Sequence, residues 1–314
     1  MESVAGSARA SHAKVLSLSL LTRRNFLRLS TAAAAGGVGA ASADAAVFEP
    51  YHPQLVRIEI PLARLPAAWD GMRIAQLSDF HYTGELAAIS IRKAVAMVNG
   101  LRPDLIVLTG DFVTVPLARH RPTARRAGRA IEPCASLLSE LRSRLGTYAC
   151  LGNHDAASDP ELITAVLQDR QIPVLINRSI ALEQGGSRLW LGGMDDALEG
   201  DTDLHLTLRN IPPGEAIILL VHEPDLAEDV ALTPVDLQLS GHSHGGQVRL
   251  PFIGAPVLPD LAKKFPRGLY HVGNLTLYTN AGIGTVRLPI RFNCPPEITL
   301  ITLRAGSPSQ SRPS

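Results

Sequence analysis

Five short clusters contain nearly all the metal-ligand-type side chains that directly follow strand-like runs in this chain. They are Asp79 and His81 in Ser78-Asp79-Phe80-His81, Asp111 in Thr109-Gly110-Asp111, and Asn153, His154 and Asp155 in Gly152-Asn153-His154-Asp155. His222 stands alone, and His242 and His244 close the set in Gly241-His242-Ser243-His244-Gly245-Gly246. Imidazole combined with carboxylate and amide oxygen suits Mn, Fe or Zn, whereas Mg and Ca favour all-oxygen cages. A centre of that kind activates water near neutral pH, so it needs no serine or cysteine nucleophile. Singly, the clusters say little. Asp-x-His is commonly a turn, Gly-Asp a loop, and an isolated histidine such as His222 a satisfied core or surface residue. Their order along the chain is what points to chemistry.

The elements that must position them can be read from hydrophobic periodicity. Met72 to Leu77, Leu105 to Thr109, Gly146 to Leu151, Ala216 to Val221 and Leu237 to Ser240 read as buried strands, and each delivers one cluster at its carboxyl end. Ligands bind at such ends in open α/β sheets. Further strands are expected at Leu55 to Ile60, Arg188 to Gly192, Gln247 to Leu250, Leu275 to Thr279 and Glu297 to Leu303. Helices are expected at Ile89 to Leu101, Pro133 to Leu145, Pro160 to Gln171 and Asp225 to Ala231. Strand–helix alternation first, then strands with fewer helices, predicts an α/β sandwich of two packed sheets flanked by helices. The sequence shows no internal repeat.

The ordered clusters resemble the calcineurin-like metallophosphoesterase superfamily from about Leu55 to Leu303. Gly245-Gly246-Gln247-Val248-Arg249-Leu250-Pro251, Gly282-Ile283-Gly284-Thr285 and Pro295-Pro296-Glu297-Ile298-Thr299-Leu300 resemble its exported or membrane-associated bacterial phosphodiesterases of the YkuE and YaeI type. The resemblance implies a four-layer αββα sandwich of two mixed sheets. It implies two divalent ions, one held by Asp79, His81 and His244, with Asp111 bridging to a second completed by Asn153, His222 and His242. Ions so bridged sit roughly 3.5–4 Å apart, a spacing suited to a phosphoryl oxygen and a shared hydroxide. Two ions, two carboxylates and one hydroxide leave the centre net cationic, so an anionic ester is attracted without a basic protein surface.

By the same resemblance His154 is the histidine that touches substrate rather than metal, and Asp155 orients the Gly-Asn-His turn. Ser/Thr-phosphatase relatives place Asp, and purple acid phosphatases Tyr, where this chain has Thr114. That departure argues against strong general-acid help to a poor leaving group. It points to phosphodiesters, pyrophosphates or other activated esters, such as an envelope phospholipid or a UDP-diacylglucosamine-like glycolipid. The alternatives are a non-catalytic metal-binding scaffold on the same fold, or a secreted nuclease or nucleotidase.

The rest of the chain sets the context. Hydrophobic residues make up 46% of the 314, ample for a core, and the formal net charge is +1, which gives no footprint for a nucleic-acid partner. Arg23-Arg24-Asn25-Phe26-Leu27, an Ala/Gly-rich stretch from Leu29 to Ala41 and the small residues Ala41-Ser42-Ala43 or Ala43-Asp44-Ala45 resemble a twin-arginine export signal. A basic N-terminus carrying Arg-Arg by chance is the plainer alternative. The expected organisation is therefore a signal over 1–46, a catalytic domain over 50–304 and a disordered Ser/Pro-rich tail over 305–314. The twin-arginine machinery would be a partner, and the cell envelope or periplasm the location. Arg119, Arg121 and Arg125, with Arg126 and Arg129, follow the Asp111 cluster and could read a second phosphate or an anionic lipid surface, giving peripheral membrane contact. A solvated loop is the other reading. Cys134, Cys150 and Cys294 form no framework, Trp69 and Trp190 read as core, and Asp195-Asp196 as a further acidic pair outside the ligand set.

Overall fold

The computed structural model describes residues 23–115 and 129–306. It divides into two compact units, the second beginning at Asp44. The described part of the first is one exposed helix, α1 (Arg23–Ala43). No helix among the described residues is long and apolar enough to cross a membrane.

The second unit contains two sheets. One has the order β1-β11-β2-β3-β4, built from Gln54–Leu62, Glu297–Ala305, Arg73–Leu77, Leu105–Thr109 and Thr147–Cys150. The other has the order β5-β6-β7-β8-β10-β9, built from Arg178–Gln184, Ser187–Gly193, Ala216–Leu220, Leu237–Ser240, Leu275–Thr279 and Gly268–Val272. Strands β2, β3 and β4 run parallel, as do β6, β7, β8 and β10. Antiparallel pairs join β11 to β2, β5 to β6 and β9 to β10.

Strand alternation creates three apolar layers, because successive side chains leave a strand on opposite faces. Leu105 and Val107 of β3 face Ile218 and Leu220 of β7 in the core between the sheets. Ile106 and Leu108 face outward onto α2 (Glu85–Leu101), α3 (Ile131–Leu138) and α5 (Pro160–Asp169), which follows the short α4 (Asn153–Ala156). Ile217 and Leu219 of β7 face the other way, toward α6 (Leu204–Leu208) and α7 (Ala227–Val230). The architecture is the expected αββα sandwich.

Local departures have local causes. The expected strand at Gln247–Leu250 makes only isolated bridges, Val248 to Phe292 and Leu250 to Gly254, because positive-φ turns at Gly245 and Gly246 precede it, Gln247 itself has positive φ, and Pro251 follows. The helix expected over Pro133–Leu145 spans Ile131–Leu138; beyond it the Asn99 side chain binds Glu140 O and Arg142 N and holds the chain in a turn. Asp225–Ala231 is a 3-10 turn followed by one α-helical turn, and α2 begins four residues before its apolar stripe. All three cysteines are buried and free, and Trp69 is fully buried.

Candidate metal centre

The carboxyl ends of β2, β3, β4, β7 and β8 converge. Asp79, Asp111, His222 and His242 each stand two residues past their strand, and Asn153 opens α4 just after β4. Five ligand-type residues have left-handed backbone: Asp79 (φ 53°), His81 (44°), Asp111 (57°), His242 (66°) and His244 (51°). That region costs non-glycine residues about 1–3 kcal/mol each, and it persists only where neighbours over-determine it. Here the turns bind one another. Asp79 N donates to Gly110 O, His81 N to Asp111 O, Gly241 N to His222 O, and Ile283 N and Gly284 N to the carbonyls of Ser78 and Asp79. Close approach demands glycine at two points: a Cβ on Gly152 would lie 2.4 Å from Asp111 Oδ1, and one on Gly241 only 1.9 Å from Ser78 Oγ.

Ligand-type atoms gather into overlapping groups, Asp79–His81–His244, His81–Asp111–His154 and Asp111–His222–His242, each within 4.8 Å. Asp111 is shared. Its Oδ1 accepts the His154 backbone N–H at 2.9 Å, which leaves Oδ2 at 3.3 Å from both His81 Nε2 and His222 Nε2. His81 Nε2 lies 2.9 Å from His244 Nε2, and His244 Nε2 lies 3.3 Å from Asp79 Oδ1. Two imidazole nitrogens that close need a proton or a cation between them, because their lone pairs otherwise repel. Asn153 Oδ1 and His222 Nε2 are buried without a hydrogen-bond partner. An orphaned buried acceptor is costly, and a cation would satisfy it. The donor set fits a pair of divalent ions.

Outer contacts aim these donors. His222 Nδ1 donates to Thr109 O at 2.6 Å, directing Nε2 at Asp111, and His242 Nε2 donates to Asp260 O at 2.8 Å, leaving Nδ1 as its ligand atom. Such partners fix the tautomer and ring orientation of metal-binding histidines. Thr114 belongs to this group: its Oγ1 lies 3.1 Å from His81 Nδ1. The position that departs from the Ser/Thr-phosphatase pattern thus touches a ligand-type histidine. His154 is held differently. Its Nδ1 accepts the Val115 backbone N–H at 2.9 Å, so the ring proton sits on Nε2.

Electrostatics give the same picture. Burial raises the Asp79 carboxyl above its usual range, with His222 and His81 opposing. Burial would also raise Asp111, but the charges of His222 and His154 and the 3.3 Å approach of His222 and His81 hold it well below. Burial would lower His222; attraction to Asp111 outweighs that and raises it. Burial and then His222 push His242 down to about 4, and burial and then His81 push His244 well down, so both are neutral donors.

Asp155 accepts backbone N–H groups from Phe112, Val113 and Gly152, tying the Asp111 loop to the Gly-Asn-His turn. Burial and then Asp111 push its carboxyl up to about 8, against those three donors. Asp195 and Asp196 fasten the loop that follows β6, accepting the amides of Asp196, Leu198, Glu199 and Asp201. Arg119, Arg121, Arg125 and Arg126 lie outside the described residues, so nothing places them at the site.

Sequence patterns did not single out Arg291. It is fully buried and donates to the carbonyls of Ala281, Gly282, Gly284 and Cys294, holding the loop whose amides bind Ser78 and Asp79. Its only signal was an arginine within the apolar run Leu288-Pro289-Ile290-Arg291-Phe292.

The family model for calcineurin-like phosphoesterases matches residues 72–246. Among proteins of similar sequence, the metallophosphoesterase YkuE of Bacillus subtilis strain 168 is 33% identical over 91% of this chain and 98% of its own length. The phosphodiesterase YaeI of Escherichia coli K12 is 31% identical over 90% of this chain and 100% of its own. The UDP-2,3-diacylglucosamine pyrophosphatase LpxG of Chlamydia muridarum is 26% identical over 81% of this chain and 90% of its own.

Proposed function

The chain belongs to the calcineurin-like phosphoesterase family, and from that premise we propose that it hydrolyses a phosphodiester or pyrophosphate with two divalent metal ions. The supporting observation is Asp111 Oδ2, 3.3 Å from an imidazole nitrogen on either side. Asp79, His81 and His244 would hold one ion and Asn153, His222 and His242 the other, with Asp111 common to both; Mn, Fe and Zn suit these donors. Bound divalent ions supply Lewis acidity toward a phosphoryl oxygen and acidify a coordinated water.

The protein's own side chains do the remainder. The His154 amide pins Asp111 Oδ1, so that carboxylate presents one oxygen inward. His154 Nε2–H donates to a phosphoryl oxygen and stabilises charge as it develops there. Because the Val115 amide occupies Nδ1, this histidine works as a neutral donor and gives little acid help to a poor leaving group. Esters with better leaving groups, such as diesters and pyrophosphates, match that limit.

The printed activities of YaeI and LpxG support the same substrate class, and LpxG supports a lipid-linked member of it. Hydrolysis of bis(p-nitrophenyl) phosphate, p-nitrophenyl phosphate and a UDP-linked diacyl glycolipid tests the proposal. Diester or pyrophosphate turnover should exceed monoester turnover; a preference for the monoester would contradict the assigned role of His154. An inert protein would favour the scaffold alternative.

We place the enzyme in the cell envelope, exported through the twin-arginine machinery, with a leader over 1–46, a catalytic domain over 50–304 and a tail over 305–314. The Arg23-Arg24 motif and the division of the chain into two compact units at Asp44 support this. Fractionation of cells expressing the Arg23→Lys/Arg24→Lys variant should show it retained in the cytoplasm; unchanged export would refute the signal.

A further inference from the structure

The segment after the His242–His244 turn leaves the metal centre as a short closed hairpin. Leu250 N donates to Gly254 O and Gly254 N to Leu250 O, both at 2.9 Å, and Ile253 N donates to Leu250 O. Its base is tight, since a Cβ on Gly246 would lie 2.3 Å from Ala255 Cβ. The tip is apolar and wholly exposed: Phe252 is 109% exposed and Ile253 72%, with Val257 at 70% just beyond. No described residue covers these side chains.

A second segment extends the apolar surface. Phe292 N donates to Gln247 O and Arg249 N to Phe292 O, pairing the root of the hairpin with the 286–292 loop, which exposes Leu288. Arg291 N in turn donates to Ala45 O, beside the exposed Val47 and Phe48. Cations accompany these residues. Arg249 donates to Gly245 O, Arg287 is exposed, and neither has a carboxylate partner among the described residues. Single exposed apolar residues are ordinary, but a closed hairpin tip of adjacent large ones beside arginines without a carboxylate partner is not.

We propose that the 250–257 hairpin is a docking prong that inserts into an anionic lipid bilayer, seating the enzyme on a membrane surface. This deepens the lipid-phosphoester reading above and rests on it for what the docked enzyme would act upon. A protein partner fits less well. A stable protein interface buries about 800 Å² on each side with complementary packing, whereas a two-residue tip is convex. A bilayer accepts a convex prong, and its binding grows with buried apolar area plus attraction of basic residues to anionic headgroups.

The test uses the full chain and vesicles of phosphatidylcholine and phosphatidylglycerol, with brominated acyl chains for quenching. The Phe252→Trp variant, measured against the wild-type background of Trp69 and Trp190, should show blue-shifted and quenched emission with the mixed vesicles and a weaker response to phosphatidylcholine alone. The Phe252→Ser/Ile253→Ser variant should lose roughly tenfold or more in vesicle partitioning. Its hydrolysis of soluble bis(p-nitrophenyl) phosphate should be unchanged. Absence of quenching at residue 252, or wild-type vesicle binding by the double variant, would overturn the proposal. So would a wild-type dimer that the double variant dissociates, since the prong's occupant would then be a second copy. Docking is measured apart from turnover, so an inert protein that still docks would overturn only the hydrolase reading.

Discussion

The two ends of the sandwich handle charge in opposite ways. At the amino ends of the parallel strands, acids meet arginines at the surface: Arg304 with Glu59, Arg144 with Asp104 and Arg188 with Glu215. At the carboxyl ends, Asp79 and Asp111 are buried, and among the described residues only histidines pair with them. The ligand-type residues at that end, Asp79, His81, Asp111, His242 and His244, also share left-handed backbone. Exposed pairs contribute little and cost little. A buried carboxylate without a cation is expensive, and so is strained backbone. A fold that places its buried, cation-less carboxylates and its left-handed ligand-type residues at one end is built to receive a cation there.

The largest effect is expected at the shared ligand. Asp111→Asn should lower diester turnover by at least ~10²–10³-fold and sharply reduce bound metal by elemental analysis; full activity would break the contrast between the two ends. Next, His154→Ala should keep its metal yet lose ~10²-fold or more in kcat, as removal of a donor to developing charge does, and a fully active variant would void the substrate-facing role. Thr114→Val removes the hydroxyl beside His81 Nδ1 and should weaken metal affinity by ~10–100-fold, read by titration with a competing chelator. At the opposite end, Glu59→Gln should leave turnover and melting temperature at wild-type values, because its partner Arg304 is a solvent-exposed residue. A marked loss there would mean that the amino end is not the inert half.

Most of this contrast is legible in the sequence at the site end. Strands β2, β3, β7 and β8 are almost wholly buried, so their apolar runs announce them and the polar residue after each is conspicuous. Edge strands are not so marked. In β5 only Leu182 is buried, and β9 is half-exposed throughout, so neither carries a run that periodicity would detect. The parts of the site supplied by backbone were equally hidden. Thr109 and Asp260 aim histidines through their carbonyls, and Val115 sets the His154 tautomer through its amide. A main-chain group carries no residue type, so sequence cannot mark it. Thr114 was conspicuous as a departure, yet its contact with His81 depends on where two loops cross.

The central claim is that the strained end holds two catalytic metal ions. Purified protein stripped with a chelator, then dialysed separately against Mn²⁺, Fe²⁺ and Zn²⁺, should be measured for bound metal per chain and for hydrolysis of bis(p-nitrophenyl) phosphate. Two ions per chain, with turnover absent in the stripped protein and restored on loading, is the predicted result. A protein that stays metal-free and inert with all three ions would contradict it.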